Sequence, residues 1–125
     1  MGEWTIGDVV DAIADVIPDR TMTVCGERRT TYGELAERTG RLANFLADRG
    51  FGAHHDRAGL DNWECGQDRV ALIMYNDRYP EMVVGCLKAR TVPVNVNHHY
   101  TPHEVAELLD YVKPRVVVYH RALGT

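Results

Sequence analysis

The feature that most constrains the fold is the alternation of apolar segments between residues 69 and 120. Three strand-type runs, RVALIMY, TVPVNVN and RVVVYH, are separated by two segments with helical spacing. A continuous apolar run is typical of a strand buried on both faces, and we expect this of the first and third runs. The order strand–helix–strand–helix–strand predicts a parallel βαβαβ unit with right-handed crossovers.

The first half of the chain predicts a different arrangement. Residues 5–18 repeat apolar side chains at helical spacing and end at a proline, and residues 31–50 form a longer amphipathic pattern. Between them, residues 21–32 hold two short β-branched runs around GERR, which indicates a β-hairpin. Residues 51–67 follow neither period and are interpreted as a loop insertion. The predicted fold class is α/β: helix, hairpin and helix, then the parallel unit.

Helix starts are predicted where a threonine precedes an acidic residue by three positions. Such a pair forms a capping box, in which each side chain satisfies the other residue's backbone N–H. A proline at the first helical position strengthens the last of these starts. The three pairs are Thr5 with Asp8, Thr31 with Glu34, and Thr101 with Glu104.

Composition excludes several classes of protein. The net charge is −4 and no basic stripe occurs, so we do not expect nucleic acid as a partner. No apolar run approaches the length of a membrane span, and the N-terminus lacks the layout of a signal peptide. The cysteines Cys25, Cys65 and Cys86 are odd in number and widely spaced, which predicts free thiols in a reducing cytoplasm.

Three histidines within PVNVNHHYTPHEV raise the question of a metal site. The helix start at Thr101 separates His99 from His103, so their four-residue spacing does not place them on one helix face. No Cys-x-x-Cys pair is present to complete a zinc site with His98 or with the His54–His55 pair. We therefore interpret the segment as a strand end, a turn and a helix start, with solvated loop histidines.

The sequence also lacks the common catalytic and nucleotide-binding motifs. It contains no G-x-G-x-x-G, no G-x-x-x-x-G-K-[ST] and no G-x-S-x-G. The turns YNDRYPE and VNHHYTPHE lack glycines that would let the backbone cradle a phosphate. We assign no catalytic, cofactor-binding or metal-ligating residue within the 125 residues.

Several segments, taken in order, resemble the opening part of the adenylate-forming (acyl-CoA synthetase) superfamily. They are TTYGEL at residues 30–35, the block RVALIMYNDRYPEMVVGCLKARTVPVNVN, and the following YTPHEVAELLDYVKPRVVV. Fatty-acyl-CoA ligases are the members that the chain resembles most. The chain departs from the family pattern at Arg90, where glycine is usual, and in the long polar loop 51–67.

The resemblance implies an incomplete portion of a ligase N-terminal domain over residues 1–125. Members activate a fatty acid with ATP and Mg²⁺ to an acyl-adenylate and then transfer it to coenzyme A. The family's phosphate-gripping loop and catalytic lysine have no counterpart here, and Lys88 is not that lysine. The resemblance thus implies ATP, Mg²⁺ and coenzyme A for the full enzyme, none bound by this chain, which we expect to be inactive alone.

Two alternatives remain open on the residues alone. The chain could be a stand-alone interaction module that dimerises through an exposed sheet edge. It could also be an unrelated flavodoxin-like domain, which would need a phosphate-gripping loop after the first parallel strand.

Overall fold

The computed structural model describes residues 3–124 and contains the predicted elements in the predicted order. Short 3₁₀ turns at Arg57–Gly59 and Arg121–Leu123 complete it. The helices and strands are α1 (Ile6–Val16), β1 (Thr21–Cys25), β2 (Arg28–Thr31), α2 (Tyr32–Asp48), β3 (Arg69–Ile73), α3 (Tyr79–Lys88), β4 (Val92–Asn95), α4 (Pro102–Val112) and β5 (Val116–Tyr119).

All three predicted capping boxes are present, which confirms the helix starts. At α4, Thr101 N–H donates to Glu104 Oε2 at 2.8 Å and Glu104 N–H donates to Thr101 Oγ1 at 3.3 Å. The shorter Asp8 serves equally well at α1, where the Thr5 hydroxyl and N–H both donate to its carboxylate. Both hydrogen bonds hold the pKa of Asp8 below its ordinary value, and the one from the Thr5 hydroxyl has the larger effect.

The strands form two sheets. β1 and β2 pair as the predicted antiparallel hairpin, and the other three strands form a parallel sheet in the order β4–β3–β5. The connection from β3 to β4 and the one from β4 to β5 run in opposite directions across this sheet. Right-handed crossovers therefore place α3 and α4 on opposite faces.

The core lies between β3 and the layer formed by α2 and α3. It contains Leu46, Val70, Leu72, Met74, Cys86 and Ala89. The two helices approach closely at Gly85, where an added Cβ would lie 2.4 Å from Leu42 Cδ2. Gly85 is thus required for the helix–helix contact.

β5 differs from the expectation of a strand buried on both faces. Val116 and Val118 are half-buried, but Val117 is 43% exposed and Tyr119 is 58% exposed. Val116 and Val118 pack against the core, so Val117 and Tyr119 lie on the opposite face of the strand, where burial is only partial. The apolar run predicted the strand but not which of its faces is covered.

Asp68, whose side chain is buried, anchors the loop 51–67 at the amino ends of the parallel strands. Asp68 Oδ2 accepts from Gly52 N–H at 3.0 Å and lies 2.6 Å from His54 Nε2, while Oδ1 accepts from Arg115 Nη1 at 3.2 Å. Burial acts to raise the pKa of Asp68, but the His54 and Gly52 hydrogen bonds and the Arg115 charge together hold it below its ordinary value. We call these four residues the Asp68 clamp.

Candidate functional site at the carboxyl ends of the parallel strands

One aromatic side chain follows each of the three parallel strands, and the sheet brings them together. The Tyr75 ring follows β3 and lies 4.9 Å from the His98 ring, which follows β4. It lies 4.8 Å from the His120 ring, which follows β5. Both contacts are edge-on, and the His99 ring lies 4.2 Å from that of His98. We call Tyr75, His98, His99 and His120 the aromatic edge.

Backbone hydrogen bonds that continue beyond the strands fix this geometry. His120 N–H donates to Ile73 O at 2.9 Å, and Val96 N–H donates to Leu72 O at 2.9 Å. The His99 N–H is held by Asn97 Oδ1 at 2.9 Å. The parallel ladder thus carries His98 and His120 to either side of Tyr75.

The turn between β3 and α3 adds a charged group beside this edge. Arg28 from the hairpin donates through Nη2 to the Asp77 carbonyl oxygen at 2.6 Å, and the same atom lies 4.0 Å from Asp77 Oδ2. Asp77 Oδ1 is buried and has no hydrogen-bond partner among residues 3–124. A buried acceptor of this kind can receive a donor from another molecule or segment.

The aromatic edge can stack on a planar group and hydrogen-bond a polar one through the Tyr75 hydroxyl and the imidazole nitrogens, except His120 Nδ1, which accepts from Ala122 N–H at 3.1 Å. Open parallel sheets bind ligands at this end of their strands. The turns at residues 74–79 and 96–101 contain no glycine, so they do not fit a triphosphate cradle. Within residues 3–124 no group of three or more histidine, cysteine or carboxylate side chains is placed to hold a metal ion.

The structure separates the histidines that the sequence grouped. His98 and His99 lie at the aromatic edge, and His98 is half-buried rather than solvated. His103 lies in the first turn of α4, 3.4 Å from Glu107 and exposed to solvent, as expected. His54 belongs to the Asp68 clamp at the opposite end of the sheet, with His55 beside it.

The surroundings of the cysteines and of Lys88 indicate structural roles for these residues. Cys25 and Cys65 are exposed free thiols, and Cys86 is a free thiol in the core, where burial raises its pKa. The ammonium of Lys88, in the last turn of α3 as predicted, lies 2.5 Å from Asp11 Oδ1 of α1. It therefore joins two helices and stabilises the end of α3.

Tyr75 and His120 were not singled out by the sequence. The available signal was their position: each directly follows an apolar strand run, and the carboxyl ends of parallel strands meet at one edge. The assignment of no catalytic, cofactor-binding or metal-ligating residue stays a prediction.

Known proteins share this fold and sequence pattern. The AMP-binding enzyme family matches residues 10–124. A medium-chain acyl-CoA ligase of Mycobacterium avium is 38% identical over 122 residues, which are 97% of this chain and 22% of that protein. A medium/long-chain-fatty-acid–CoA/3-oxocholest-4-en-26-oate–CoA ligase of Mycobacterium marinum is 31% identical over 116 residues, covering 93% of this chain and 19% of that one.

A solved structure agrees with these relatives. The N-terminal domain of FACL13 from Mycobacterium tuberculosis superposes with a TM-score of 0.77 at 26% identity, covering 94% of this chain and 27% of that one. The chain thus spans about a fifth of the length of the curated relatives it matches. These findings confirm the resemblance drawn from the sequence: the chain belongs to the AMP-binding enzyme family, and its fold is that of part of the N-terminal domain of the acyl-CoA ligases.

Proposed function

We propose that this chain forms the opening part of a fatty-acid–CoA ligase of the cytoplasm, with a medium-chain fatty acid as its substrate class. The observation that carries the proposal is the family match over residues 10–124, joined to a relative at 38% identity that is named as a medium-chain acyl-CoA ligase. In such an enzyme, ATP with Mg²⁺ supplies the activation of the carboxylate, and coenzyme A takes the acyl group.

The chain's own contribution is to position the carboxyl ends of its strands. The Asp68 clamp holds the loop 51–67 at the amino ends, away from that edge. The aromatic edge then faces whatever segment or ligand lies beyond the carboxyl ends. Positioning by a rigid sheet is the role we assign to these 125 residues.

The same observations argue that the isolated chain does not catalyse the reaction. Its strand–helix turns have no glycine for a phosphate cradle, and its described residues gather no metal-binding group. Activation of a carboxylate by ATP requires stabilisation of the negative charge on the oxygens of the transferred phosphate and on the departing pyrophosphate. We expect no ATP–pyrophosphate exchange by the 125 residues with decanoate.

The experiment that tests the proposal compares the isolated chain with a hybrid enzyme. In the hybrid, this chain replaces the matching segment of the M. avium ligase, and decanoyl-CoA formation is measured. We expect activity within about tenfold of the parent enzyme, because the replaced segment keeps the sheet and its edge. A folded hybrid without activity, or robust exchange by the isolated chain, would contradict the proposal.

Sedimentation separates this reading from the alternative of a dimerising module. The exposed apolar side chains of α1, among them Ile6 at 62% and Val16 at 79%, favour some partner surface. The buried positions of α1 are Gly7 and Ala14. Four of the apolar residues at helical spacing are exposed instead: Ile6, Val9, Ile13 and Val16. A stable, concentration-independent dimer with no activity in the hybrid would support the module.

A further inference from the structure

A concave surface lies at the amino end of the parallel sheet, opposite the aromatic edge. It is an open hollow of about 240 Å³ between the loop 51–67 and the starts of β3 and β5. Arg69, Lys113 and Arg115 line it, together with His54 and His55. These side chains come from three separate parts of the chain, so the hollow exists only in the folded state.

The charge of this hollow is not balanced from within. Within residues 3–124 no carboxylate lies within 4.0 Å of the cationic groups of Arg69 or Lys113. The single carboxylate that lines the hollow is Asp68, and both of its oxygens are engaged by the Asp68 clamp. Three permanent cations face one carboxylate, which leaves two positive charges in excess before either histidine is protonated.

The backbone at Lys113 gives an independent sign of constraint. Lys113 has φ 52° and ψ 57°, a left-handed conformation that costs a residue other than glycine about 1 kcal/mol. The chain thus holds a lysine, and not a glycine, at a position where glycine would relieve strain. Lys113 is the C-cap of α4, where this conformation lets its N–H donate to Leu109 O at 2.8 Å, so the end of the helix fixes the lysine at the rim of the hollow.

Another arginine-rich surface of the same protein provides paired cations for comparison with Arg69 and Lys113. Around the hairpin and α2, Arg28, Arg38, Arg41 and Arg78 each lie beside a carboxylate. Those acids are Asp77, Glu81 and Glu37. These four arginines differ from Arg69 and Lys113 in having a carboxylate within 4.0 Å.

We propose that this hollow binds inorganic pyrophosphate or the diphosphate group of a small phosphorylated molecule. Arginine and lysine together suit phosphate oxygens, the first as a planar fork and the second as a point charge. The volume is below the range of pockets that enclose a whole drug-sized ligand, which favours the phosphate group alone. The site lies at the far end of the sheet from the aromatic edge and is independent of the ligase proposal.

Titration of the 125-residue chain with pyrophosphate at low ionic strength tests this site, followed by calorimetry and by ³¹P line width. We expect saturable binding of one pyrophosphate. Lys113→Gln and Arg69→Gln should each weaken it about tenfold, the effect of removing one charge-assisted hydrogen bond. Lys113 is exposed, so its variant should keep the fold even if Arg69→Gln does not.

Arg41→Gln is the matched control, because it removes one positive charge from the paired cluster on α2. It should leave the pyrophosphate affinity unchanged. An equal loss in Arg41→Gln and Lys113→Gln would show a general charge effect and overturn the site. Failure to observe saturable binding to the folded wild-type chain would overturn it as well.

Discussion

The two ends of the parallel sheet are built from different chemistry. At the amino end, a buried carboxylate receives three hydrogen-bonding partners from remote parts of the chain. At the carboxyl end, Tyr75 contacts His98 and His120 edge-on, and the residue is 39% exposed. The first arrangement satisfies its polar groups internally, whereas the second leaves hydroxyl and imidazole groups accessible.

The Asp68 clamp and the aromatic edge are therefore separated by how much each contributes to stability, while the unpaired cations beside the clamp remain open to a ligand. A buried charge is tolerated only when its partners are in place, so the amino end is expected to resist change. Exposed rings contribute modestly to stability and remain available to a ligand or to another segment. The predictions below test that separation, beginning with the largest effect.

Asp68→Asn should destabilise the chain by about 2 kcal/mol. The substitution removes the negative charge that Arg115 and His54 contact, and it places an amide N–H₂ group beside hydrogen-bond donors that need an acceptor. The free energy of unfolding in urea measures the effect. Asp61→Asn, an exposed acid in the same loop, is the control and should change it by less than about 0.5 kcal/mol. Equal effects of the two substitutions would refute the structural role of the clamp.

Acid should weaken the amino end selectively. The pKa of Asp68 is lower in the folded chain than in the unfolded one, so its contribution is present above the unfolded value and is lost as pH falls through the folded value. The difference in unfolding free energy between wild type and Asp68→Asn should therefore be constant near neutrality and shrink below about pH 4. A gap that stays constant down to pH 2 would show that the carboxylate charge is not the cause.

Tyr75→Ala should cost about 1 kcal/mol through loss of its two edge-on contacts, less than the change at Asp68. Tyr75→Phe keeps the ring and should be neutral for stability. In the hybrid enzyme, the two variants distinguish the contribution of ring packing from that of hydrogen bonding, because Tyr75→Phe removes only the hydroxyl. If Tyr75→Ala proves more damaging to stability than Asp68→Asn, the contrast between the two ends is wrong.

Local chemistry explains what could be predicted from the sequence. Capping boxes act over three residues, so the helix starts at Thr5, Thr31 and Thr101 were predicted correctly. The apolar runs and their spacing were enough to predict parallel strands and the hairpin. Gly50, the last residue of the second amphipathic pattern, has φ 82° two positions beyond the end of α2 at Asp48.

Long-range pairing explains which features could not be predicted from the sequence. The order β4–β3–β5, which makes β5 an edge strand, depends on contacts that no local pattern reports. The same holds for the site: Tyr75 and His120 meet only because β3 and β5 are neighbours. The Asp68 clamp likewise joins Gly52 and Arg115, which are distant in the chain.

The smallest effect concerns strain at the amino end. Among residues 3–124, the non-glycine residues with positive φ are Arg90 at 62° and Lys113 at 52°, which precede β4 and β5. Arg90→Gly should stabilise the chain by about 0.5–1 kcal/mol, because glycine adopts this conformation without steric cost, although it also gains freedom when unfolded. Arg49→Gly, at φ −93°, is the control and should destabilise it. Thermal unfolding measures both, and opposite signs of the two changes would place the strain at Arg90.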